Sequence, residues 1–350
     1  MSWPRSQPQE NAPQRKRRAV AALDLGTNNC RLMIAVPRRN GFAVVATFSR
    51  IVRLGEGLVT TGRIADSAQE RAISALRECA EMVARWDVAA VRCVTTEACR
   101  MAANGAAFVE RVRVETGLKL DVIGPEEEAR LALSGCASLI DVHASRALLF
   151  DIGGGSTELC YLRIDGNDRR KVEMEAVASL PFGVVRLSEG LAEGSFAGEH
   201  YRLIRERVAR NVREAMPDGF LEAANGESHV IGTSGTATSL ASLHKGLKRY
   251  RRREVDGTWL TSDDVERLAD ELQAMGLEGR KKQPSIGEGR ADLIMPGCSV
   301  MQGIMDATGF GRVRVADRGL REGIVTDLIA ETRAERAKER HRVSSGAHAG

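Results

Sequence analysis

The chain has 350 residues, of which 43% are hydrophobic and 28% charged, with a formal net charge of +4. That is the make-up of an ordinary soluble protein of about two domains, and so weak a charge does not by itself point to nucleic acid. Aromatic residues amount to 4% without the aromatic-and-basic alternation of a base-stacking surface, and no apolar run nears the roughly 20 residues of a membrane span.

In chain order, residues 1–18 hold prolines, glutamines and the cluster Arg15-Lys16-Arg17-Arg18, and read as a disordered basic tail. The apolar stretch after it is interrupted by Asp24, Asn28, Asn29 and Arg31, which excludes a signal-peptide core. Strands are expected at 20–23, 31–36 and 43–50, with Asn40-Gly41 as a hairpin turn. A helix over 66–86 follows, with Ile73, Leu76, Ala80 and Val83 on one face. Then come a strand at 91–94, a helix at 105–116, a strand at 120–123 and a helix at 126–140. A second series opens with strands at 147–152, 158–164 and 173–179, the last two divided by the turn residues Asp165-Gly166-Asn167-Asp168. It continues with a helix at 201–216, a strand at 229–232, helices at 237–243 and 262–275, a strand at 312–315 and a helix at 319–336. The order β-β-β-α-β-α, met twice, predicts an α/β protein of two related domains, at 19–143 and 144–319. A terminal helix near 320–338 is expected to pack back on the first domain, ahead of a polar tail at 339–350.

The chemistry lies in a glycine-rich strand-turn that also occurs twice. Asp24-Leu25-Gly26-Thr27-Asn28 ends the first strand, and Asp151-Ile152-Gly153-Gly154-Gly155-Ser156-Thr157-Glu158 follows the first strand of the second series. Backbone N–H groups exposed in such turns form a nest for an anion, above all phosphate, and glycine leaves room for it. The ordinary alternative is a tight hairpin with surface acids. Two matched turns favour a ligand, with two lobes facing one phosphate cleft. Asp151 and Glu158 flank the second cradle, where bare carboxylates would repel phosphate. They therefore imply Mg²⁺, a hard ion that bridges carboxylate, water and phosphate oxygens. A third small-residue turn, Gly232-Thr233-Ser234-Gly235, precedes a helix.

Glu126-Glu127-Glu128 opens a helix after Gly124-Pro125. Acids in a first turn commonly do no more than complement the helix dipole. Lying between the two phosphate turns in sequence, one of these is also a candidate general base for in-line attack on phosphorus. Arg31 and Arg100 are either surface charges or bidentate clamps on phosphate oxygens. The run from His244 to Arg253 is the densest positive stretch of the folded part, either a solvated loop or a landing strip for a long polyanion. The seven cysteines are scattered without a C-x-x-C pair, as in a reduced, cytoplasmic protein, and the six histidines have no metal spacing.

With these residues in view, the chain resembles the exopolyphosphatase / guanosine pentaphosphate phosphohydrolase family of the actin–Hsp70–sugar-kinase superfamily. The segments that carry the resemblance are AALDLGTNNCRLMIA, TTEACRMAANG, VIGPEEEARLALSG, LLFDIGGGSTELCYL, SLPFGVVRLSE, VIGTSGTATSLA, RADLIMPGCSVMQGIMD and VRVADRGLREGIV, in family order over residues 19–330. DIGGGSTE after EEARLA is the specific part; DLGT is shared across the superfamily.

The resemblance implies two ribonuclease H-like (actin-like ATPase) domains around an interdomain cleft. It implies Glu128 as catalytic base, and Asp151 and Glu158 as holders of Mg²⁺, with a monovalent cation such as K⁺ as a further candidate. Phosphate would be bound by Gly153, Gly154, Gly155, Ser156 and Thr157 from one lobe and by Asp24, Gly26, Thr27 and Asn28 from the other. Arg31 and Arg100 would clamp it, and Gly232, Thr233, Ser234 and Gly235 match the third superfamily loop. The first turn departs from the Gly-Ser-Asn-Ser of many members. The resemblance further implies a short form without the extra C-terminal helical domains of longer members, and a homodimer. The expected activity is exopolyphosphatase, acting on polyphosphate; guanosine pentaphosphate is the second substrate. The rival classes are an actin-like ATPase or kinase and a non-catalytic polyphosphate or alarmone sensor. No nucleic-acid or membrane partner is expected.

Overall fold

The computed structural model describes residues 18–165, 172–192 and 195–346. Residues 1–17 and 347–350, with most of the basic tail, and most of the turn expected at 165–168 lie outside the described residues.

The first half runs β1 (Ala19–Leu25), β2 (Asn29–Pro37), β3 (Phe42–Ile51), α1 (Leu58–Thr61), α2 (Asp66–Arg85), β4 (Val88–Thr95), α3 (Glu97–Met101), α4 (Gly105–Thr116), β5 (Leu120–Val122) and α5 (Pro125–Cys136). Its sheet has the order β3-β2-β1-β4-β5, antiparallel along β3-β2-β1 and parallel from β1 to β5. The second half repeats the scheme with β6 (Arg146–Ile152), β7 (Thr157–Ile164), β8 (Val172–Leu180), α6 (Val184–Ser188), α7 (Gly198–Glu214), β9 (His229–Ser234), α8 (Gly235–His244), α9 (Arg252–Val255), β10 (Trp259–Thr261), α10 (Ser262–Lys281), α11 (Ile294–Thr308) and β11 (Arg312–Ala316). Its sheet has the order β10-β11-β9-β6-β7-β8. Helix α12 (Leu320–Gly346) closes the described chain. This is the two-lobed α/β, ribonuclease H-like fold expected from the sequence.

Each central strand is buried on both faces, as a strand covered by helices must be. On β1, Ala19, Ala21, Leu23 and Leu25 pack with Ile73 and Leu76 of α2. The intervening Val20 and Ala22 pack with Ile324, Val325 and Leu328 of α12. On β6, Leu148 and Phe150 share a core with Val208 of α7 and Ile304 of α11. Ala147 and Leu149 meet Ala129, Ala132 and Cys136 of α5 instead. Helices α5 and α12 thus each cover one sheet and also touch each other. A Cβ on Gly323 of α12 would lie 2.0 Å from the carbonyl oxygen of Leu131 of α5.

Several elements differ from expectation. α5 stops at Cys136 and a single 3-10 turn, Ala137–Leu139, follows. α10 extends to Lys281 across a break in helical geometry at Gly276, where φ is 62°. α12 continues past 338 to Gly346. Helix α11 was not foreseen; it is buried on nearly every side, so it carries no amphipathic period.

The strand registers position the chemistry. Asp24 stands opposite Arg31 across the β1–β2 ladder. Asp151 stands opposite Glu158 across β6–β7, at the equivalent place in the second half.

Candidate active site

Both glycine turns are tied down by the chain that returns past them. In the first, Val52 and Arg53 donate their amides to the Asn28 carbonyl, and Gly55 donates to Thr27. In the second, Gly183, Val184 and Val185 donate theirs to the carbonyls of Gly155, Gly153 and Gly154. The carbonyls are thereby held outward, against the start of α6. The amides of Gly154 and Gly155 donate to nothing among the described residues, leaving an anion nest. The two turns touch: a Cβ on Gly154 would lie 3.0 Å from Cβ of Thr27 and 3.2 Å from the Asn28 nitrogen.

A cavity of about 570 Å³ lies where the turns meet. Its wall includes Asp24, Gly26, Thr27, Asn28 and Arg31 from the first half, and Glu128 from the start of α5. Asp151, Gly153, Gly154, Gly155, Ser156, Thr233, Ser234 and Gly235 complete it from the second. Ser234 also caps α8, accepting from the Ala237 amide at 2.9 Å, and Thr233 donates its hydroxyl to the Arg318 carbonyl at 2.7 Å.

Four candidate residues are not on this wall. Glu158 is buried behind Ser156, whose hydroxyl donates to its Oε1 at 2.5 Å; Ser179 donates at 3.0 Å. Thr157 donates its hydroxyl to the Phe182 carbonyl at 2.6 Å. Gly232 lies on the Phe150 ring, which a Cβ would approach to 2.6 Å. Arg100 donates Nη1 to the Ile123 carbonyl at 2.6 Å and stands 3.8 Å from Oε2 of Glu128.

The electrostatics are those of acids crowded in a low-dielectric cleft. Burial holds Glu128 well above the usual carboxylate range, helped by the charges of Glu158, Asp151 and Asp24 and opposed by Arg100. Burial pushes Asp151 up to about 8, with Glu158 adding to it and Arg31 opposing it. Asp24 is raised by burial against the pull of Arg31, and Glu158 by burial against its two serine hydrogen bonds.

These carboxylates fit a hard cation in one respect. Oε2 of Glu128 and Oε2 of Glu158 are buried without a hydrogen-bond partner, as is Oδ1 of Asn28. Among the described residues no three acids, histidines or cysteines close into a cage for a metal ion. The unpartnered carboxylate oxygens are the donor type that Mg²⁺ takes, one or two at a time, with water and phosphate oxygens completing its shell.

The sequence reading missed most of the cavity's positive charge. Arg290 and Arg321 lie on the wall with Arg31, and none of the three has an ion-pair partner among the described residues. Burial and the Arg31 charge press both Arg290 and Arg321 below their ordinary range. Arg318 and Arg252 are also on the wall but are held by Asp256 and Glu322. No local pattern marks Arg290 or Arg321; each is one arginine in a segment quoted above only as a whole.

The model of the Ppx/GppA phosphatase family matches residues 33–332. The chain belongs to that family. Exopolyphosphatase 2 of Mycobacterium tuberculosis is 30% identical over 330 residues, 88% of this chain and 98% of that protein. Exopolyphosphatase 1 of Mycobacterium bovis is 28% identical, with 87% of each chain covered. The crystal structure of the Aquifex aeolicus Ppx/GppA family member aligns with a TM-score of 0.73 at 28% identity, over 90% of this chain and 98% of that one. In this Ppx/GppA member, as in the sequence, no helix among the described residues is long and apolar enough to cross a membrane. All seven cysteines are free and buried.

Proposed function

We propose that this protein is an Mg²⁺-dependent exopolyphosphatase that hydrolyses the terminal phosphoanhydride of inorganic polyphosphate and releases orthophosphate. The observation that carries the reading is the meeting in one cavity of Glu128, the amide nest of Gly154 and Gly155, and three arginines that form no ion pair among the described residues. The relatives named exopolyphosphatase support the choice of substrate.

Glu128 takes a proton from a water molecule as its oxygen attacks the terminal phosphorus. The bridging P–O bond breaks, and the shortened polymer leaves with the electron pair. A carboxyl held above its usual range is a better proton acceptor than an ordinary one, provided it is ionised at the working pH. The amide nest and Arg31, Arg290 and Arg321 stabilise charge on the transferring phosphoryl group, the larger part of catalysis in this reaction. Mg²⁺ would be held by Asp151 on the wall, with Glu158 behind Ser156 as the second acid, and would supply charge neutralisation of phosphate oxygens and a lowered pKa of water. Arg100 fixes Glu128 from behind and is a positioning residue in this reading.

Phosphate release is measured on tripolyphosphate, long-chain polyphosphate and guanosine pentaphosphate side by side, for the wild type and Glu128→Gln. The expected result is turnover of polyphosphate, reduced about 10²- to 10⁴-fold in the variant with little change in KM. Full activity in Glu128→Gln removes the assigned base. Turnover of guanosine pentaphosphate alone reassigns the substrate.

A further inference from the structure

The basic run at 244–253 divides at the cavity mouth. Tyr250 and Arg252 are part of the wall. Lys245, Lys248, Arg249 and Arg253 are exposed, and none of the four has an acidic partner among the described residues. Their neighbours are neutralised: Arg251 by Glu254 at 2.8 Å, Arg252 by Glu322 and Asp317, His244 by Asp264 at 3.3 Å when protonated. Four uncompensated charges therefore remain on the short stretch of chain that flanks the wall residues Tyr250 and Arg252.

The run is continuous with the cavity wall through Tyr250 and Arg252. Arg31 and Arg290 are close enough to repel, and Arg290 in turn feels Tyr250. The site of a Cβ on Gly235 lies 3.6 Å from Nη1 of Arg290, which puts that guanidinium against the third turn. The cavity wall thus runs from the glycine turns past Arg290 to Tyr250, with Asp317 as the acid beside them. Arg249 and Lys248 follow one and two residues away, within about 8 Å along the backbone.

The cavity, at about 570 Å³, is the size of a small-ligand site. Only the end of a polymer fits inside it, and the remainder must leave over the lip. We propose that Lys245, Lys248, Arg249 and Arg253 form an external track for the polyphosphate chain that trails from the cavity. The proposal rests on the polyphosphate reading above and names the part of the substrate that reading leaves outside. A linear polyanion lying on such a track releases counterions, so its hold is strong at low salt and fades as salt rises. A short substrate sits wholly inside the cavity and gains nothing from the lip.

The test is the paired charge reversal Lys248→Glu/Arg249→Glu, at exposed, unpartnered positions, with Lys245→Gln/Arg253→Gln as a milder second variant. For long-chain polyphosphate, KM is expected to rise about tenfold in the first variant, and its dependence on salt to flatten. For tripolyphosphate, kcat and KM stay at wild-type values in both. An equal change for the two substrates, or no change for the long one, overturns the track. Fluorescence anisotropy with end-labelled long-chain polyphosphate, read without turnover, separates this from the assigned function. Binding that is tight in the wild type and weakened in both variants supports the track even if no orthophosphate is released; binding unchanged by the variants overturns it.

Discussion

A Cβ on Gly155 would lie 1.8 Å from Oε2 of Glu97. Gly155 belongs to the phosphate turn of the second half and Glu97 to the first turn of α3 in the other, so the contact crosses the cleft. Oε1 of Glu97 accepts from Nη1 of Arg186 at 3.3 Å, while its Oε2 is buried and has no hydrogen-bond partner. The last glycine of the triplet is therefore shaped by a protein side chain as well as by room for a ligand.

Gly155→Ala is expected to push the turn off its geometry and lower phosphate release by roughly a hundredfold, the scale of loss for a misplacement of about 1 Å. Shortening the acid relieves the clash, so Gly155→Ala/Glu97→Ser is expected to be more active than Gly155→Ala alone. Gly183→Ala behaves differently. Its Cβ would fall 2.2 Å from the carbonyl carbon and 2.3 Å from the nitrogen of Gly155. Backbone atoms cannot be trimmed, so Glu97→Ser leaves that variant inactive. A double-mutant cycle on kcat/KM reads both outcomes.

Arg290 and Arg321 form no ion pair among the described residues; Asp317, Glu322 and Asp24 offset only part of the repulsion they share with Arg31, and bound phosphate relieves the rest. Arg290→Met or Arg321→Met is expected to raise the ligand-free melting temperature. The same variants should shrink the further rise produced by tripolyphosphate, which for a tight ligand at 100 times its Kd is worth about 2.7 kcal/mol. The two shifts have opposite signs. Thermal melts with and without ligand check them, and a variant that loses stability in both conditions contradicts the assignment.

His229, on β9, is buried against the Trp259 ring, 5.1 Å between centroids. Burial pushes its imidazole down to about 4 from 6.5, against a hydrogen bond to the Glu227 carbonyl that favours the charged form. The unfolded chain therefore binds a proton between those values and the folded one does not. Stability is present in full above pH 6.5 and falls as pH drops toward 4, by on the order of 3 kcal/mol from this group. His229→Phe is expected to flatten that part of the profile of melting temperature against pH. An unchanged slope assigns the acid lability to other groups.

Much of the fold was legible because its strands are short, apolar and bounded by turn residues. The two glycine turns, with Asp24 and Asp151, stood out at once and do share a cavity. The acid triplet at 126–128 drew notice for its place between them, although a local reading makes these ordinary helix-start acids, and only the family resemblance singled out Glu128. What escaped has physical reasons. Helix α11 is buried on nearly every side and contains Pro296, Gly297 and Gly303, so it reads as a broken hydrophobic stretch. Arg290 and Arg321 come from segments more than 250 residues beyond Arg31, and only the tertiary fold puts the three guanidinium groups on one wall. Thr157 looked like a phosphate donor because it follows Ser156, but alternation along β7 turns its side chain away.

The equivalent registers of the two hairpins carry a last consequence. Seven residues after its aspartate, the first hairpin has Arg31 and the second has Glu158. A duplicated backbone, left alone, would have lined both sides of the cleft alike. One exchanged residue at the same address makes the two hairpins unequal: Asp24 faces an arginine on the cleft wall, and Asp151 faces a second acid set behind Ser156. In the proposed reaction a phosphate chain would meet a guanidinium beside one aspartate and a paired acid behind the other. The twofold likeness supplies the frame, and the break in that likeness makes the two walls chemically distinct.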